Sequence, residues 1–288
     1  MNCICCLSKQ IIKNPIGRSN YFICQVCGFI FQNGEISRGD QKNIVDHYQD
    51  NDPHNAVAIS KRGFFEMAII YLSNKISQSN RSILDIGCGY GYFLETARKK
   101  DWETRGVEIT AKAANAAQKE FGKEKIFCGQ LKHANYPDYS FNVITLWDVL
   151  FVVKNPADEL MECHRILKPG GIIGIRVRNA LFQRFACYAF RPFKKIASKF
   201  GFKDPSVFHP YSFSSRSIDS LLTRLGFTNI QIINSSLTTG DPYEHAELKS
   251  IVRIFKHCIS FFSKLIYFLS DSKWIVGPSL LIWAEKAK

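Results

Sequence analysis

The sequence contains no apolar run as long as the ~20 residues that a membrane-spanning helix needs. It also begins without the basic and then apolar region of a secretory signal, so we expect a cytoplasmic protein. Acidic residues are comparatively few: 25 Asp and Glu stand against 38 Lys and Arg, a formal charge of +13. This balance favours anionic partners such as nucleic acid, a phospholipid surface or a phosphorylated substrate. A solvated basic surface without any partner is an equal alternative.

Ten cysteines in a cytoplasmic protein indicate metal ligands or buried thiols rather than disulfides. Four of them form two C-x-x-C pairs, Cys3 with Cys6 and Cys24 with Cys27. Two such pairs can supply the four thiolates of a tetrahedral Zn²⁺ site. Cys5 lies inside the first pair, so an exchange between Cys3 and Cys5 stays open, as does the alternative of unrelated buried thiols.

Residues 1–40 are predicted to form a zinc-ribbon module, with the apolar triplets Tyr21–Ile23 and Phe29–Phe31 as its strands. A module of about 40 residues has little core of its own, so a bound metal would supply its stability. The remaining residues, 41–288, are predicted to be one α/β domain, because apolar strand patterns alternate with helical patterns from residue 81 onwards.

The α/β domain is expected to have a core over residues 81–179 and two insertions, about 180–213 and 237–276. A helix precedes the core, since apolar residues from Phe64 to Leu72 recur at helical spacing. The predicted strands are Ser82–Ile86, Thr104–Ile109, Lys125–Cys128, Asn142–Trp147, Ile172–Val177 and Thr228–Ile233. The predicted helices between them are Tyr92–Lys100, Ala111–Phe121, Pro156–Leu167 and Ile218–Leu225.

The functional prediction depends most on the segment from Arg81 to Phe93. A short apolar strand there runs into Gly87, Gly89 and Gly91, and a helix follows. This arrangement brings the backbone close to a nucleotide-like ligand and points helix N–H groups at it. A dinucleotide fingerprint would place a glycine at Tyr92, so the pattern D-x-G-x-G-x-G is a different one.

Glu108 ends the next predicted strand, seventeen residues after Gly91. A carboxylate at this point of a βαβ unit can accept hydrogen bonds from both hydroxyls of a ribose. The alternative is an exposed charge at the end of a strand. The glycine turn and Glu108 together indicate a site for a nucleoside-containing cofactor.

Four segments together resemble the class I S-adenosylmethionine-dependent methyltransferases, and most closely their ubiquinone-biosynthesis and sugar or glycan types. These segments are LDIGCGYGYFLETA, GVEIT, SFNVITLWDVL and HRILKPGGIIGIRVRN. Some of those enzymes also carry an N-terminal ribbon that ends like CQVCGFIF here. The resemblance implies a Rossmann-like sheet of seven strands with helices on both faces. Its last strand, SLLIWAEK, would be antiparallel and inserted between its neighbours.

The resemblance also implies a cofactor, S-adenosylmethionine, and residues that hold it. Asp85 and the three glycines match the motif around the methionine part, and Glu108 matches the ribose acid. Gln130 stands where the family often has an aspartate near the adenine amino group, and its amide oxygen can still accept that hydrogen bond. Trp147 lies beside the expected methyl position, and Tyr48 matches a tyrosine that covers the cofactor.

For the acceptor side we predict two catalytic residues, Asp148 and His209. Asp148 lies beside the expected methyl position, and a family histidine at the place of His209 often faces the active site. His209 would orient the acceptor or take its proton, against the alternative of a buried structural histidine. Phe151 and Val152 stand where the family often has Glu and His, which puts activity in doubt.

Both insertions interleave aromatic and basic residues, a composition that suits lipid headgroups or nucleic acid. The first carries Arg184 and further Lys, Arg and Phe residues, and the second contains an amphipathic segment, Ile251–Leu269. That segment is predicted either to pack on the core or on a dimer mate, or to lie on the cytoplasmic face of an anionic membrane.

The sequence therefore predicts methyl transfer to a small-molecule, glycan or lipid-linked acceptor by in-line displacement. Such a reaction mainly needs alignment, exclusion of water and removal of a proton, so a compact catalytic triad is not required. One alternative is an RNA-binding or RNA-modifying zinc-ribbon protein, which is disfavoured because the N-P-P-[FY]-like motif of amine-methylating enzymes is absent at Trp147–Phe151. Another is a methyltransferase fold that binds the cofactor without turnover.

Overall fold

A computed structural model describes residues 1–13, 21–32, 54–190, 210–235, 249–271 and 273–288. Tyr48 and His209 lie outside these described residues, as do the basic residues of the first insertion beyond residue 190. The strands are β1 (Ile11–Lys13), β2 (Tyr21–Cys24), β3 (Ile30–Gln32), β4 (Ser82–Ile86), β5 (Glu103–Glu108), β6 (Ile126–Cys128), β7 (Phe141–Trp147), β8 (Leu167–Arg178), β9 (Tyr211–Ser212), β10 (Phe227–Asn234) and β11 (Ser279–Lys286). The α-helices are α1 (His54–Lys75), α2 (Tyr92–Arg98), α3 (Ala111–Phe121), α4 (Pro156–Ile166), α5 (Ala180–Phe190), α6 (Ser215–Arg224) and α7 (Lys249–Leu269).

The central sheet has seven strands in the order β10-β11-β8-β7-β4-β5-β6. Strands β4 to β8 pair in parallel, whereas β11 lies between β8 and β10 and is antiparallel to both. This order confirms the predicted sheet, including the inserted antiparallel strand. Of the helices in the described residues, none has the length and apolar character to cross a membrane.

Both faces of the inner strands β4 and β7 are covered, which is why these two strands are apolar and buried at most positions. Ile83 and Val143 point to the face that α1 and α2 cover, where Phe93 and Trp283 join them in one buried cluster. Neighbouring positions such as Leu84 point to the other face, which α4 and α6 cover. The alternation of side chains along each strand therefore divides the core into two layers.

The structure differs from the sequence prediction at Lys168–Gly171. The predicted helix Pro156–Leu167 and the predicted strand Ile172–Val177 leave these residues as a connecting turn, but α4 ends at Ile166 and β8 begins at once with Leu167, which pairs with Phe141. The extra residues are accommodated by a register shift between Phe141 and Val143, so the segment is an irregular stretch of strand. Gly171 is required there, because a Cβ atom would lie 2.8 Å from the carbonyl oxygen of Lys168.

The N-terminal ribbon shares a sheet with the α/β domain. Strands β1, β2 and β3 are antiparallel, and β9 from the end of the first insertion pairs with β3. Ser214, the residue that caps α6, donates a hydrogen bond of 2.5 Å from its Oγ to the carbonyl oxygen of Cys27. Arg224 Nη2 donates one of 2.5 Å to the carbonyl oxygen of Ile4. The sequence predicted neither β1 nor this docking.

Phe213 connects the core of the ribbon to the core of the domain. Its side chain is fully buried, and its ring centroid lies 5.1 Å from that of Phe29 in the ribbon. Both rings belong to one hydrophobic cluster, which also contains Cys3 and Cys24 of the ribbon and Leu84 of the central sheet. The two parts of the chain therefore bury apolar surface against each other.

We expect Phe213→Ala to lower the free energy of unfolding by about 3–5 kcal/mol, because it leaves a cavity in this shared cluster. Urea unfolding followed by circular dichroism measures the effect. Met67→Ala, on a side chain of α1 that is 52% exposed, is the control and should change stability by less than about 0.5 kcal/mol. Equal effects of the two substitutions would contradict a shared core.

Candidate functional site

The conformation of the turn after β4 depends on its glycines. Gly87 and Gly89 adopt left-handed backbone conformations, with φ of +69° and +54°. A Cβ atom on Gly87 would lie 2.3 Å from Cγ2 of Val149, so only glycine fits beneath that side chain. A Cβ atom on Gly89 would meet nothing within 4 Å. The backbone at Gly89 therefore faces open space in which a ligand can lie against it.

Glu108 fixes this turn through its side chain. Its carboxylate accepts hydrogen bonds from the backbone N–H of Gly89 (2.9 Å) and from that of Thr110 (2.7 Å). The side chain is buried, with 8% of the residue exposed. A carboxylate has about four acceptor positions, so two are left for further donors. This geometry fits a pair of ribose hydroxyls.

A cavity of about 650 Å³ lies along the carboxyl edge of the parallel strands. Ligands of open α/β sheets bind at this edge. The sheet side of the cavity is formed by strand ends and the loops that follow them. These residues include Ile86, Gly87, Val107, Ile109, Gly129, Gln130 and Leu131. Gln130 is thus placed in the wall, as the resemblance implies for a residue near the adenine.

The ribbon forms the opposite wall of the same cavity. Ile4, Phe29 and Phe31 line it, together with Tyr211 of β9. The ring of Phe29 stacks between those of Phe31 and Tyr211, at centroid distances of 5.5 Å and 5.9 Å. One cavity therefore has one wall made of strand ends and loops of the sheet, next to Glu108 in sequence, and a second, aromatic wall on the ribbon.

The loop after β7 closes a third side of the cavity. Val152 lines this side, and Phe151 is buried in the core beneath it. These are the positions at which the resemblance would place Glu and His. The chain is therefore apolar at these two positions and carries no acid–base pair there, whereas Lys154 and Asn155 further along the loop add polar groups to the same wall.

Asp85 is buried at the end of β4, and Oγ1 of Thr145 donates a hydrogen bond of 2.6 Å to its carboxylate. Burial raises the pKa of Asp85 to about 7, although the Thr145 hydroxyl and the nearby Lys61 ammonium oppose the shift. A cationic group bound nearby would favour the ionised form. Asp85 therefore fits the neighbourhood of a ligand's ammonium group.

Asp148 lies at the centre of an ion-paired cluster. Its Oδ2 contacts Nη1 of Arg176 at 2.5 Å and Nζ of Lys61 at 2.8 Å. Burial alone would raise the pKa of the Asp148 carboxyl, but the Arg176 and Lys61 charges outweigh it and hold the pKa well below its usual range. The carboxylate is therefore ionised and forms ion pairs with both Lys61 and Arg176. This arrangement favours a role in positioning these two side chains over a role in proton transfer.

Trp147 packs in an aromatic cluster on the face of the sheet that α1 covers. Its ring centroid lies 5.0 Å from that of Phe64 and 5.4 Å from that of Phe93. The indole Nε1–H is buried and has no hydrogen-bond partner among the described residues. A contact between Trp147 and a cofactor stays a prediction, as do the roles of Tyr48 and His209, which lie outside the described residues.

Glu159 is a cavity residue that the sequence did not single out. It lies in the first turn of α4 and lines the cavity beside Lys132. Burial raises the pKa of its carboxyl to about 7, with a further contribution from the charge of Glu162. The sequence could have indicated this role, because Glu159 follows the loop at the end of β7, where ligands of such sheets bind. The helical pattern alone predicts only an exposed charge at this position.

The four predicted ligand cysteines come together. The Sγ atoms of Cys3, Cys6, Cys24 and Cys27 all lie within 4.8 Å of one another, and those of Cys3 and Cys27 are 3.6 Å apart. Tetrahedral coordination with Zn–S bonds of about 2.3 Å requires sulfurs about 3.8 Å apart. The donor set therefore fits Zn²⁺. Cys5 is buried but is not part of this group, which favours Cys3 as the ligand.

A comparison with protein families matches residues 62–232 to the methyltransferase domain family. Among curated proteins, an uncharacterized protein of Methanocaldococcus jannaschii is 31% identical over 193 residues, which cover 65% of this chain and 85% of that protein. The ubiquinone biosynthesis O-methyltransferase of Azoarcus sp. (strain BH72) is 25% identical over 37% of this chain. The match covers 48% of that enzyme, so the chain spans about half the length of this relative.

Solved structures share the fold. The plantazolicin methyltransferase in complex with S-adenosylhomocysteine has a TM-score of 0.53 and 20% identity, over 88% of this chain and 92% of that one. Phosphoethanolamine N-methyltransferase 2 of Haemonchus contortus has a TM-score of 0.54 and 17% identity, over 90% of this chain and 62% of that one. At sequence identities of 20% and 17%, these two comparisons show a common fold and nothing further.

We expect Asp148→Asn to lower the free energy of unfolding by about 3 kcal/mol at pH 7, because it leaves the buried Arg176 guanidinium without its counter-charge. The folded-state pKa of Asp148 lies below its unfolded value. Its contribution is therefore present above about pH 4 and is lost as the pH falls further. Urea titrations at several pH values measure the difference between the two proteins.

Asp138→Asn is the matched control, since Asp138 pairs with Arg165 at an exposed position. It should cost less than about 1 kcal/mol. The ion-pair assignment is wrong if the two substitutions have similar effects, or if the effect of Asp148→Asn does not shrink at low pH.

Proposed function

The chain belongs to the methyltransferase domain family and has the class I S-adenosylmethionine-dependent methyltransferase fold. From this premise we propose that it transfers the methyl group of S-adenosylmethionine to a small-molecule, glycan or lipid-linked acceptor. The observation that carries the proposal is the Glu108 carboxylate, fixed by Gly89 and Thr110 beside open space at the end of β4. It is a preformed ribose site at the edge where this fold binds nucleosides.

The bound cofactor would supply the methyl group, which is attached to its sulfonium. The residues of the chain hold the cofactor and the acceptor in the orientation that the transfer requires. Glu108 holds the ribose, Gly89 lets the cofactor lie on the backbone, and Asp85 faces its ammonium end. Gln130 and Ile109 line the adenine end of the cavity. Because the leaving group becomes neutral, alignment and exclusion of water contribute most to the rate.

An acceptor hydroxyl also has to lose a proton. Two groups are proposed for this step: His209, from the sequence, and Glu159, which lines the cavity. The pKa of Glu159 near 7 lets it accept a proton at neutral pH. Asp148, with its depressed pKa, is instead proposed to hold Lys61 and Arg176 beside the methyl position.

The acceptor is proposed to have a flat or apolar face. Support comes from the wall opposite the cofactor edge, where Phe29, Phe31 and Tyr211 stack and Val152 adds an apolar side chain. Aromatic walls of this kind contact planar rings and the apolar faces of sugars. The ubiquinone-biosynthesis relatives agree with a ring acceptor, although the match covers only part of their length.

A non-catalytic cofactor-binding protein is the second candidate. It is favoured by Phe151 in the core and Val152 in the cavity wall, where the family often has Glu and His. Cofactor binding without methyl transfer to any ring, sugar or lipid-linked acceptor would select this candidate.

We further propose that Cys3, Cys6, Cys24 and Cys27 bind one structural Zn²⁺. The metal would stabilise a ribbon that has little core of its own, and the ribbon in turn forms one wall of the cavity.

The cofactor site is tested by calorimetry with S-adenosylmethionine. Glu108→Ala should weaken binding at least about 30-fold, or roughly 2 kcal/mol, because two charge-assisted hydrogen bonds to the ribose are lost. Gly89→Val should also abolish binding, since its side chain would enter the space above the turn and its φ of +54° is unfavourable for valine.

Glu103→Ala on the same strand and Gly63→Ala in α1 are the matched controls. Glu103 is exposed, and a Cβ atom on Gly63 meets nothing within 4 Å. Both variants should bind the cofactor like the unmodified chain. Unchanged affinity in Glu108→Ala would remove the basis of the proposal.

The metal site is tested by measuring zinc in the purified protein. We expect one zinc per chain, and we expect Cys24→Ser to lose it and to unfold at a lower temperature. Cys128→Ser, an exposed cysteine, should keep its zinc. Cys5→Ser decides between Cys3 and Cys5: retention of zinc supports the Cys3 ligand set, and loss of zinc would contradict it.

A further inference from the structure

Helix α7 faces the domain with the side that carries Ser263, and the half-buried Ile259, Ile266 and Tyr267 lie on this side too. Ser263 is only 6% exposed, and its Oγ donates a hydrogen bond of 2.7 Å to the carbonyl oxygen of Ile259. The carbonyl oxygen of Ser263 accepts a hydrogen bond of 3.4 Å from Nδ2 of Asn234, at the end of β10. The sequence left open whether the apolar side of this helix packs on the core, and the described residues show the opposite orientation.

The outward side of α7 carries large apolar side chains. Phe261, Leu265 and Phe268 recur at helical spacing on this side, with Phe262 and Leu269 beside them. Their exposed fractions range from 39% for Leu265 to 80% for Phe268. Trp274, five residues after the helix, is 66% exposed. A surface helix normally turns such a stripe toward the core, so the stripe on α7 marks a surface that contacts a partner.

The charges around this surface restrict the partner. Helix α7 contains no Asp or Glu, and the exposed Lys264 and Lys273 stand next to its apolar side chains. The whole chain has a formal charge of +13, so two copies that met through this face would repel each other. An anionic phospholipid bilayer offers both an apolar interior and negative phosphates.

We propose that α7 and Trp274 bind the surface of an anionic phospholipid bilayer. The rings of Phe261, Phe262 and Phe268 enter the boundary between headgroups and acyl chains, and Lys264 and Lys273 contact lipid phosphates. The helix lies in the interface and does not span the bilayer, in agreement with the basic residues Lys249, Arg253, Lys256 and Lys264 along it. This binding goes beyond methyl transfer and does not depend on it.

The described part of the first insertion also carries exposed apolar side chains. Leu181, Phe185 and Tyr188 of α5 recur at helical spacing and are 50–70% exposed. Helix α5 begins beside the chain that follows Trp274, because Nδ2 of Asn179 donates hydrogen bonds of 2.9 Å to the carbonyl oxygens of Ile275 and Gly277. Asn234 contacts both Gly277 and the carbonyl oxygen of Ser263, so the start of α5 and the middle of α7 both lie near the carboxyl end of β8. If the proposed function holds, the acceptor is accordingly a lipid-borne molecule.

Vesicle flotation of the full chain at low salt tests the proposal. The probes are vesicles of phosphatidylcholine alone and vesicles of phosphatidylcholine and phosphatidylglycerol in equal parts. We expect binding to the anionic vesicles only. The double variant Phe261→Ser and Phe268→Ser should reduce the partition coefficient at least about tenfold, since two immersed rings are lost. Lys264→Glu with Lys273→Glu should reduce it as well.

Met67→Ser with Ile70→Ser is the matched control, because these side chains are 52% and 56% exposed and belong to a different helix, α1. This control should bind vesicles like the unmodified chain. The proposal is overturned by absence of binding to anionic vesicles, by equal loss in the control, or by a dimer in sedimentation equilibrium that only the Phe261 and Phe268 variant loses. S-adenosylmethionine affinity, measured in the same proteins, should stay unchanged, so failure of the membrane proposal is distinguishable from failure of the proposed function.

Discussion

The two hydrogen bonds that the Glu108 carboxylate accepts from Gly89 and Thr110 hold the cofactor edge of the molecule together. They join the turn after β4 to the end of β5, and so they fix the backbone that we propose lies closest to the cofactor. Because the carboxylate is already oriented and desolvated, little reorganisation is needed when ribose hydroxyls arrive. Two glycines contribute to the same geometry. Gly87 lets the turn pass beneath the side chain of Val149, and Gly89 has no side chain that would fill the space next to the turn.

The ribbon gives this edge its second wall. It docks because β9 completes its sheet and because Phe213 meets Phe29 in a common cluster. The folding of the ribbon and the shape of the cavity are therefore linked, and the proposed metal would act on both. The four cysteines precede every strand of the central sheet by more than 30 positions in the sequence. A zinc ion bound to them would nevertheless influence which acceptor fits the cavity. The ribbon contributes aromatic side chains, whereas the sheet contributes backbone and carboxylates. This division agrees with the proposal of a flat or apolar acceptor on one side and a charged nucleoside cofactor on the other.

Local signals made much of the fold predictable. The apolar strand before Gly87, the carboxylate at the end of β5 and the paired cysteines each depend on neighbours a few residues away, and the structure has them where the sequence placed them. Contacts between distant segments could not be predicted in this way. The pairing of β3 with β9 joins residues about 180 positions apart, and the ion pair of Asp148 with Lys61 depends on how α1 crosses the sheet. Periodicity showed that α7 has two faces, but only the packing of Ser263 shows which face the domain covers.

The central claim is that one cavity holds the cofactor on the Glu108 wall and leaves the ribbon wall to the acceptor. A crystal structure of the full chain with S-adenosylhomocysteine tests it most directly. We predict ribose hydroxyls on the Glu108 carboxylate, the amino-acid end over Gly87 to Gly91, adenine beside Gln130, and a remaining space bounded by Phe29, Phe31 and Tyr211. Electron density for the ligand against the ribbon aromatics, with Glu108 still contacting only Gly89 and Thr110, would contradict the account.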